Sequence, residues 1–205
     1  MVAIVDYGVG NLFSLRSSFA AIGAEAAVTG APAVLRAADR IVLPGVGAFG
    51  DAAALLRRSG LDRAVLEEAE RGKPLLGICL GMQLLLQRSF EYGTHRGLGL
   101  IPGAVTAIAP VVPPGYKVPH IGWNGLHFPA GRPLHPLFRD LSPGDCVYFV
   151  HSYYAAGCEG DTIATTEYGA ELTAAVARAN VCGVQFHPEK SGEVGLAILR
   201  NFCEL

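Results

Sequence analysis

Cys79 stands in a setting that could make it a nucleophile. It lies in the stretch Gly77-Ile-Cys79-Leu-Gly81, between an apolar run that predicts a buried strand and a second run that predicts a helix. A nucleophile elbow needs this order, because the nucleophile takes strained backbone angles at a tight turn where only small neighbours fit. The start of a helix also favours a thiolate. A buried core cysteine is the alternative interpretation.

A histidine and a carboxylate that could complete a triad occur together near the end of the chain. Of the six histidines, only His187 ends an apolar run that predicts a strand, in the sequence GVQFHPEK. Pro188 favours extended backbone angles at His187, and in extended chain two residues that are two apart point to the same side. Glu189 is therefore predicted to lie beside the His187 ring, as in a Cys-His-Glu triad for acyl transfer. By itself, HPEK is also consistent with a surface turn.

The glycine-rich stretch GVGAFG, which follows Pro44, supports two interpretations. Its GxGxxG spacing between a strand and a helix is found in dinucleotide-binding turns. However, two strand–helix segments precede it, and no strand about 20 positions further on ends in an acidic residue. In acyl transfer, Val46 or Gly47 would instead supply one backbone N–H donor to the oxyanion, and Leu80 the other. Gly45 and Gly47 would let the peptide between them rotate.

Alternating strands and helices in the first half would position these residues. The predicted strands are Val2–Asp6, Glu25–Thr29, Arg40–Leu43 and Leu75–Ile78, and the predicted helices are Leu12–Ala21, Asp51–Arg58, Leu61–Arg71 and a segment from Leu80 through Leu86. This order predicts a three-layer α/β fold with a mostly parallel open sheet and helices on both faces. Cys79 and His187 would then lie at the carboxyl edge of the strands, where such sheets bind ligands.

The second half predicts an antiparallel extension of that sheet. Its strand-like segments are Leu98–Ile108, Tyr116–Ile121, Cys146–Tyr154, Ile163–Thr166 and Leu172–Arg178. Val181–Phe186 is a further apolar strand, and Glu193–Phe202 is predicted to be a closing helix. No repeat, low-complexity tract or linker divides the chain, so we expect residues 1–205 to form a single domain.

Composition excludes several classes of protein. Apolar residues make up 51% of the 205 residues and charged residues 17%, which indicates a globular chain. The 18 acidic and 16 basic residues give a net charge of −2 without a basic run, which argues against a nucleic-acid or membrane surface. The five cysteines form no CxxC pair, and the N-terminus lacks the features of a signal peptide. We expect a reduced cytoplasmic protein without a metal site or a cofactor.

Taken in order, the segments PGVG, GICLGMQLL and GVQFHPEKS resemble the class I glutamine amidotransferases. The resemblance implies that Cys79 attacks the side-chain amide of glutamine and releases ammonia, and that the resulting thioester is hydrolysed to glutamate. It implies that His187 acts as base and acid and that Glu189 orients it. It also implies that Gln83 contacts the substrate.

The stretches DYGVGNLFSL, PHIGWN, YFVHSYY and TEYG narrow the resemblance to the glutaminase subunits of imidazole glycerol phosphate synthases, which act in histidine biosynthesis. That resemblance implies a heterodimer with a (β/α)₈ cyclase subunit, which receives the ammonia through a channel and makes imidazole glycerol phosphate and an aminoimidazole carboxamide ribonucleotide. Ser152 and Tyr153 would hold the glutamine main chain. The residues expected toward the partner are Asn11, His120, Trp123, Asn124, Tyr148 and Lys190.

Three alternatives stay open at this point. The chain could be the glutaminase of another class I amidotransferase, which would share the triad and a different acceptor. It could be another cysteine hydrolase of the same fold class, such as a peptidase. A non-catalytic nucleotide-binding module built on the GVGAFG loop is the third.

Overall fold

The computed structural model describes all residues from Met1 to Leu205. Its α-helices are α1 (Leu12–Ala21), α2 (Pro32–Ala37), α3 (Phe49–Arg58), α4 (Leu61–Glu70), α5 (Leu80–Leu85) and α6 (Gly192–Phe202). Its strands are β1 (Val2–Val5), β2 (Ala26–Thr29), β3 (Arg40–Leu43), β4 (Leu75–Ile78), β5 (Leu86–Ser89), β6 (His95–Arg96), β7 (Ile101–Ala107), β8 (His120–Gly125), β9 (Cys146–His151), β10 (Tyr153–Ala156), β11 (Thr162–Glu167), β12 (Glu171–Arg178) and β13 (Val181–Val184).

A seven-stranded sheet forms the middle layer, in the order β11-β12-β13-β4-β3-β1-β2. The five strands from β13 to β2 are parallel, whereas β12 and β11 continue the sheet in antiparallel pairing. Along β1, Ala3 and Val5 pack into a core with α2 to α5, while Val2 and Ile4 pack into a second core with α1 and α6. The predicted three-layer fold, with helices on both faces of the sheet, is confirmed.

The register between β4 and β13 places the chemistry-bearing segments side by side. Ile78 pairs with Val184 at the carboxyl ends of these two central strands. One residue further, the N–H of Cys79 donates to the carbonyl of Val184 at 2.8 Å. Both strands are fully buried, which is why they read in the sequence as unbroken apolar runs. The segments around Cys79 and His187 therefore emerge at one edge of the sheet.

The prediction that all later strands extend this sheet is wrong in part. Of the later strands, β11, β12 and β13 join it, and β13 does so in parallel pairing with β4; the others form a four-stranded sheet, β10-β7-β5-β6, and a β8-β9 pair. The predicted segment Cys146–Tyr154 is interrupted at Ser152, where the chain passes from β9 to β10. The predicted Tyr116–Ile121 strand lies later, at β8. Strands β8, β9 and β10 therefore lie outside the central sheet.

The helix after Cys79 is shorter than predicted. It ends at Leu85, and Leu86 begins β5, so the assignment of Leu86 to a helix is wrong. The residues from Leu80 to Leu86 are all buried, and an apolar run of this length cannot distinguish a buried helix from a buried strand. Helix α2, which begins at Pro32, was not predicted from the sequence. None of the helices has the length and apolar character required to cross a membrane.

Candidate active site

Cys79 occupies a strained turn between β4 and α5. Its backbone has φ 54° and ψ −112°, although it carries a Cβ that disfavours positive φ. Strain of this kind costs about 1 to 3 kcal/mol and persists only where surrounding contacts impose it. The side chain lines a cavity of about 640 Å³ and is otherwise nearly buried. This geometry is that of a nucleophile elbow.

Close packing explains the two glycines of the elbow. A Cβ on Gly81 would lie 1.8 Å from the carbonyl oxygen of Leu43, and one on Gly77 would lie 2.8 Å from the carbonyl group of Gly81. Neither distance is compatible with any other residue type, because the atoms met are backbone atoms. The spacing of small residues around Cys79 is thus a steric requirement of the turn.

His187 and Glu189 form the second part of the site. His187 Nδ1 lies 2.8 Å from Glu189 Oε1, and both side chains are almost fully buried. His187 has extended backbone angles as predicted, but residues Pro188–Lys190 form a 3₁₀ turn. The carboxylate therefore reaches the ring through a turn rather than along an extended stretch. The second carboxylate oxygen, Oε2, is buried without a hydrogen-bond partner.

Electrostatics favour the charged form of His187. Burial lowers the pKa of His187, but hydrogen bonds to Cys79 and Glu189 and the negative charges of both outweigh this effect and raise the pKa to about 10. The imidazolium can therefore stabilise a thiolate at Cys79. Cys182 provides a contrast on the neighbouring strand, because burial alone raises the pKa of its thiol to about 12. It has the character of a core cysteine, whereas Cys79 has a base beside it.

Backbone N–H groups that could bind an oxyanion border the same cavity. Leu80 is the first residue of α5, so its N–H has no acceptor within the helix. The N–H groups of Val46 and Gly47 donate no hydrogen bond within the protein. All three residues line the cavity beside Cys79. The residues predicted to bind an oxyanion thus line the same cavity as Cys79.

The two glycines of the PGVG loop differ in their surroundings. A Cβ on Gly45 would meet Gly81 N, Leu80 Cβ and Tyr7 Oη, each at 2.9 Å. Gly47 has φ +97°, and a Cβ there would meet nothing within 4 Å. The expected freedom of the loop on both sides of Val46 therefore exists only on the Gly47 side.

The same loop argues against dinucleotide binding. Helix α3 begins at Phe49, and its N–H donates to the carboxylate Oε2 of Glu91 at 2.6 Å. In a dinucleotide site, this helix terminus would bind a pyrophosphate, which is also negatively charged. A buried carboxylate already occupies that position, so the GxGxxG spacing here serves a different purpose.

The cavity also contains the predicted substrate contacts. Gln83, Ser152 and Tyr153 line it together with Cys79 and His187. Gln83 Nε2 donates to the carbonyl of Tyr153 at 3.1 Å, which joins α5 to β10. Glu91 and Tyr92, which follow β5, complete the wall. Their contribution could not be found from the sequence, because the loop from Arg88 to Gly97 gave no interpretable pattern.

Two histidines separate the cavity from the outer face of β8. His151 lines the cavity, and its Nδ1 donates to the Tyr153 carbonyl at 2.9 Å. Its Nε2 lies 3.0 Å from Nδ1 of His120, whose Nε2 lies 2.8 Å from Oδ1 of Asn124. Burial lowers the pKa of His151 to about 3 and also lowers that of His120. Successive hydrogen-bonding contacts therefore connect His151 in the cavity wall, through His120, to Asn124.

The residues predicted to face a partner occupy different environments. Trp123 is 55% exposed and contacts Tyr148 edge to face, with ring centroids 6.1 Å apart. Lys190 Nζ lies over the Tyr148 ring at 5.6 Å and also lines the cavity. Asn11 precedes α1 and is half-buried. His120, by contrast, is fully buried, so it could affect a partner only through Asn124.

Two further residues at the site were not predicted from the sequence. Gln185 is fully buried, and its Nε2 lies 3.7 Å from Cys79 Sγ. The rule that pairs residues two apart in extended chain, used for His187 and Glu189, would also have indicated Gln185. Tyr7 donates its hydroxyl hydrogen to the carbonyl of Pro44 at 2.7 Å. Burial and the charge of Cys79 raise the pKa of Tyr7 well above its usual value.

Metal ligands are not grouped at the site. No cluster of three or more His, Cys, Asp or Glu side chains in the molecule is arranged to hold a metal ion. Cys79, His187 and the backbone N–H groups offer a thiolate, an imidazolium and hydrogen-bond donors, which are suited to attack on a carboxamide or ester carbonyl.

Comparison with known proteins agrees with this chemistry. A family model described as "Glutamine amidotransferase class-I" matches residues 3–205. Imidazole glycerol phosphate synthase subunit HisH of Wolinella succinogenes is 47% identical over 207 residues, which cover 100% of both chains. The subunit HisH of Methanothermobacter thermautotrophicus is 51% identical over 205 residues, which cover 100% of this chain and 98% of that protein.

A solved structure described as a glutamine amidotransferase superposes with a TM-score of 0.76, at 20% sequence identity, over 100% of this chain and 98% of that one. This likeness supports the fold alone. The family match and the full-length identity to the HisH subunits go further. The chain belongs to the class I glutamine amidotransferases and, within them, to the imidazole glycerol phosphate synthase subunit HisH family.

Proposed function

We propose that this protein is the glutaminase subunit of an imidazole glycerol phosphate synthase and hydrolyses glutamine to glutamate and ammonia. The observation that carries the proposal is Cys79 at positive φ, beside a His187 that Glu189 holds, in a cavity that backbone donors border. The relationship to the HisH subunits supports the choice of glutamine as the substrate.

In the proposed reaction, the Cys79 thiolate attacks the side-chain carbonyl carbon of glutamine. The carbonyl oxygen becomes an oxyanion, which the N–H groups of Leu80 and of Val46 or Gly47 stabilise. The C–N bond then breaks, and His187 gives its proton to the departing nitrogen, which leaves as ammonia. Water attacks the thioester with His187 as base, the C–S bond breaks, and glutamate and the thiolate are released.

Positions and contacts at the site support roles for four further residues. Ser152 and Tyr153 follow β9 directly and would bind the main-chain groups of glutamine. Gln83 is held in α5 by its bond to the Tyr153 carbonyl and would contact the substrate beside the sulfur. Glu189 is sealed from solvent and would keep the His187 ring in one orientation throughout the cycle.

We propose that a (β/α)₈ cyclase subunit binds over Trp123, Tyr148 and Lys190 and takes up the ammonia. Exposed aromatic side chains with a neighbouring cation are enriched at protein interfaces, which supports this face. Ammonia would be protonated in bulk water and lose its nucleophilicity, so it needs a protected path. The proposed acceptor reaction yields imidazole glycerol phosphate and an aminoimidazole carboxamide ribonucleotide.

The cellular setting and domain organisation are also proposals. The five cysteines are all free, which supports a reducing, cytoplasmic environment. The family match over residues 3–205 supports a single glutaminase domain over the chain.

Glutamate release, measured with and without a co-expressed cyclase subunit, tests the proposed function. We expect partner-dependent release that Cys79→Ala abolishes, since the variant lacks the nucleophile. Cys146→Ala is the matched control, because Cys146 is exposed and does not line the cavity. Normal glutamine hydrolysis by Cys79→Ala would exclude the triad. Absence of hydrolysis by the wild-type protein with its partner would exclude glutamine as the substrate.

A further inference from the structure

Gln185 is a buried amide in contact with the nucleophile. It precedes His187 by two residues and has no solvent exposure. Its Nε2 lies 3.7 Å from Cys79 Sγ, and its Oε1 accepts a hydrogen bond from Gln83 Nε2 at 3.0 Å. Full burial of an amide is costly unless its polar atoms are paired, and here both are. The side chain thus joins Gln83 to the sulfur.

The orientation of this amide follows from the backbone. The carbonyl oxygen of Tyr153 can only accept, so the Gln83 atom that contacts it must be the nitrogen. That same nitrogen contacts Gln185, so the Gln185 atom facing it must be the oxygen. The remaining Gln185 atom, which faces Cys79, is therefore the NH₂ group. The chain of contacts from β10 ends in a donor aimed at the sulfur.

A donor at this position acts on the charge of the sulfur. A thiolate accepts a stronger hydrogen bond than a thiol, because bonds to charged acceptors are about twice as strong as neutral ones. An imidazolium at His187, which lines the same cavity, can supply one such bond, but it must give its proton to the leaving nitrogen. Gln185 cannot transfer a proton, so its bond persists through the cycle.

We propose that Gln185 is a catalytic residue that stabilises Cys79 as a thiolate, both before attack and as the leaving group when the thioester is hydrolysed. In that second step, water adds to the carbonyl carbon, the C–S bond breaks, and the electron pair stays on a sulfur that the Gln185 N–H binds. The inference rests on the proposed glutaminase reaction for its role in turnover, but the sulfur contact can be tested without glutamine.

The first test measures alkylation of Cys79 by iodoacetamide in the isolated protein, from about pH 5 to about pH 10, with peptide mass spectrometry to separate Cys79 from the other cysteines. In Gln185→Leu, the sulfur loses one donor. We expect the midpoint of the pH profile to rise by about one unit. Thr166→Val is the matched control, because Thr166 is fully buried, makes one hydrogen bond and does not line the cavity.

Gln185→Glu separates the hydrogen bond from packing, because it keeps the size of the side chain and an acceptor for Gln83. When protonated, its carboxyl group can still donate to the sulfur; when ionised, it cannot, and it repels the thiolate. We expect its alkylation rate, relative to the wild-type rate, to fall progressively as pH rises. A constant ratio across the pH range would overturn the proposal, as would an unchanged midpoint in a folded Gln185→Leu.

Turnover supplies the second readout. With the cyclase partner, kcat for glutamate release should fall about tenfold in Gln185→Leu, while KM changes by less than about threefold. Equal losses in Thr166→Val would indicate a structural role only and contradict the proposal. The two proposals fail separately: a wild-type protein that alkylates at Cys79 but releases no glutamate contradicts only the glutaminase function. Wild-type glutamate release with an unaltered Gln185→Leu variant contradicts only the role of Gln185.

Discussion

Two glycine-containing turns meet at the sulfur, and they are held in different ways. In the elbow, Gly77 and Gly81 press against backbone atoms, and Cys79 stays at positive φ because the surrounding chain leaves no alternative. In the PGVG loop, Gly45 presses against the elbow in the same manner, whereas Gly47 stands in open space at φ +97°. The proposed nucleophile is therefore fixed by contact, while part of the proposed oxyanion site is fixed only by backbone conformation.

Under the proposed function, the enzyme must not release ammonia before its partner is ready, and this difference between the two turns would suit that requirement. A preorganised nucleophile with an adjustable oxyanion site can bind glutamine yet react slowly until the loop adopts the donor conformation. Regulation by the loop would change kcat more than substrate binding, because the oxyanion exists only in the transition state. The variants below test the two turns against each other, beginning with the largest expected effect.

Gly81→Ala should have the largest effect. Its Cβ would lie 1.8 Å from the Leu43 carbonyl oxygen, so the elbow or β3 must shift. We expect the free energy of unfolding to fall by about 3 kcal/mol or more in urea denaturation. Gly23→Ala is the control, since a Cβ on Gly23 would meet nothing within 4 Å and only its positive φ is strained, which should cost about 1 kcal/mol. Equal losses in the two variants would mean that the elbow is not rigid.

Glu189→Gln should leave the fold intact and reduce turnover. The amide cannot offset the imidazolium charge, so we expect kcat to fall about 10³-fold. The wild-type pKa of His187 is raised to about 10 partly by Glu189, so the variant should lose the His187 proton at lower pH than the wild type. NMR titration of the imidazole measures that change, and steady-state kinetics measures kcat.

Glu193→Gln is the matched control for that experiment, because Glu193 is exposed in the first turn of α6 and does not contact His187. An unaltered titration of His187 in Glu189→Gln would show that another group sets its charge. In that case, the rigidly held part of the site would include the elbow around Cys79 but not the pair of His187 and Glu189.

Gly47→Ala tests the adjustable half. No side chain or backbone atom obstructs a Cβ there, but alanine strongly disfavours φ +97° and should move the loop. We expect kcat with the cyclase partner to fall about 10²-fold, as for loss of one oxyanion donor, and KM to change by less than about threefold. Gly23→Ala again controls for strain. If KM rose by about 10²-fold and kcat stayed unchanged, the loop would contribute to substrate binding instead.

The contrast between the two turns could not have been predicted from the sequence. Both read as small residues after a strand, and the elbow was found because its glycines flank a reactive residue. Gly45 and Gly47 look equivalent in PGVG, and only the position of Gly81, Leu80 and Tyr7 separates them. Such contacts join residues far apart in the chain, and a local pattern carries no information about them.

The difference between local sequence patterns and long-range contacts also explains which other parts of the structure were predicted. The short strands of the central sheet and helix α1 were predicted closely, because their patterns are local. The carboxylate at the start of α3 comes from Glu91, 42 residues after Phe49, in a loop without a periodic pattern. The buried hydrogen bond between Gln83 and Gln185 joins residues that are 102 positions apart in the chain. Cys79 and His187 were predictable as candidates because each follows its own apolar strand, and Glu189 because it lies two residues after His187. The groups that hold these residues in place were not predictable.

Tyr7→Phe should have the smallest effect and tests whether the two turns are coupled. The Tyr7 hydroxyl donates to the Pro44 carbonyl at the start of the loop and also lies against Gly45, which touches the elbow. Loss of one buried hydrogen bond should cost about 1 kcal/mol of stability. If Tyr7 couples the turns, kcat should also fall by a few fold, beyond the effect in Tyr168→Phe, whose hydroxyl donates to a carbonyl outside the cavity. Equal kinetics in the two variants would mean that the loop adjusts independently of the elbow, and that Gly47 alone governs it.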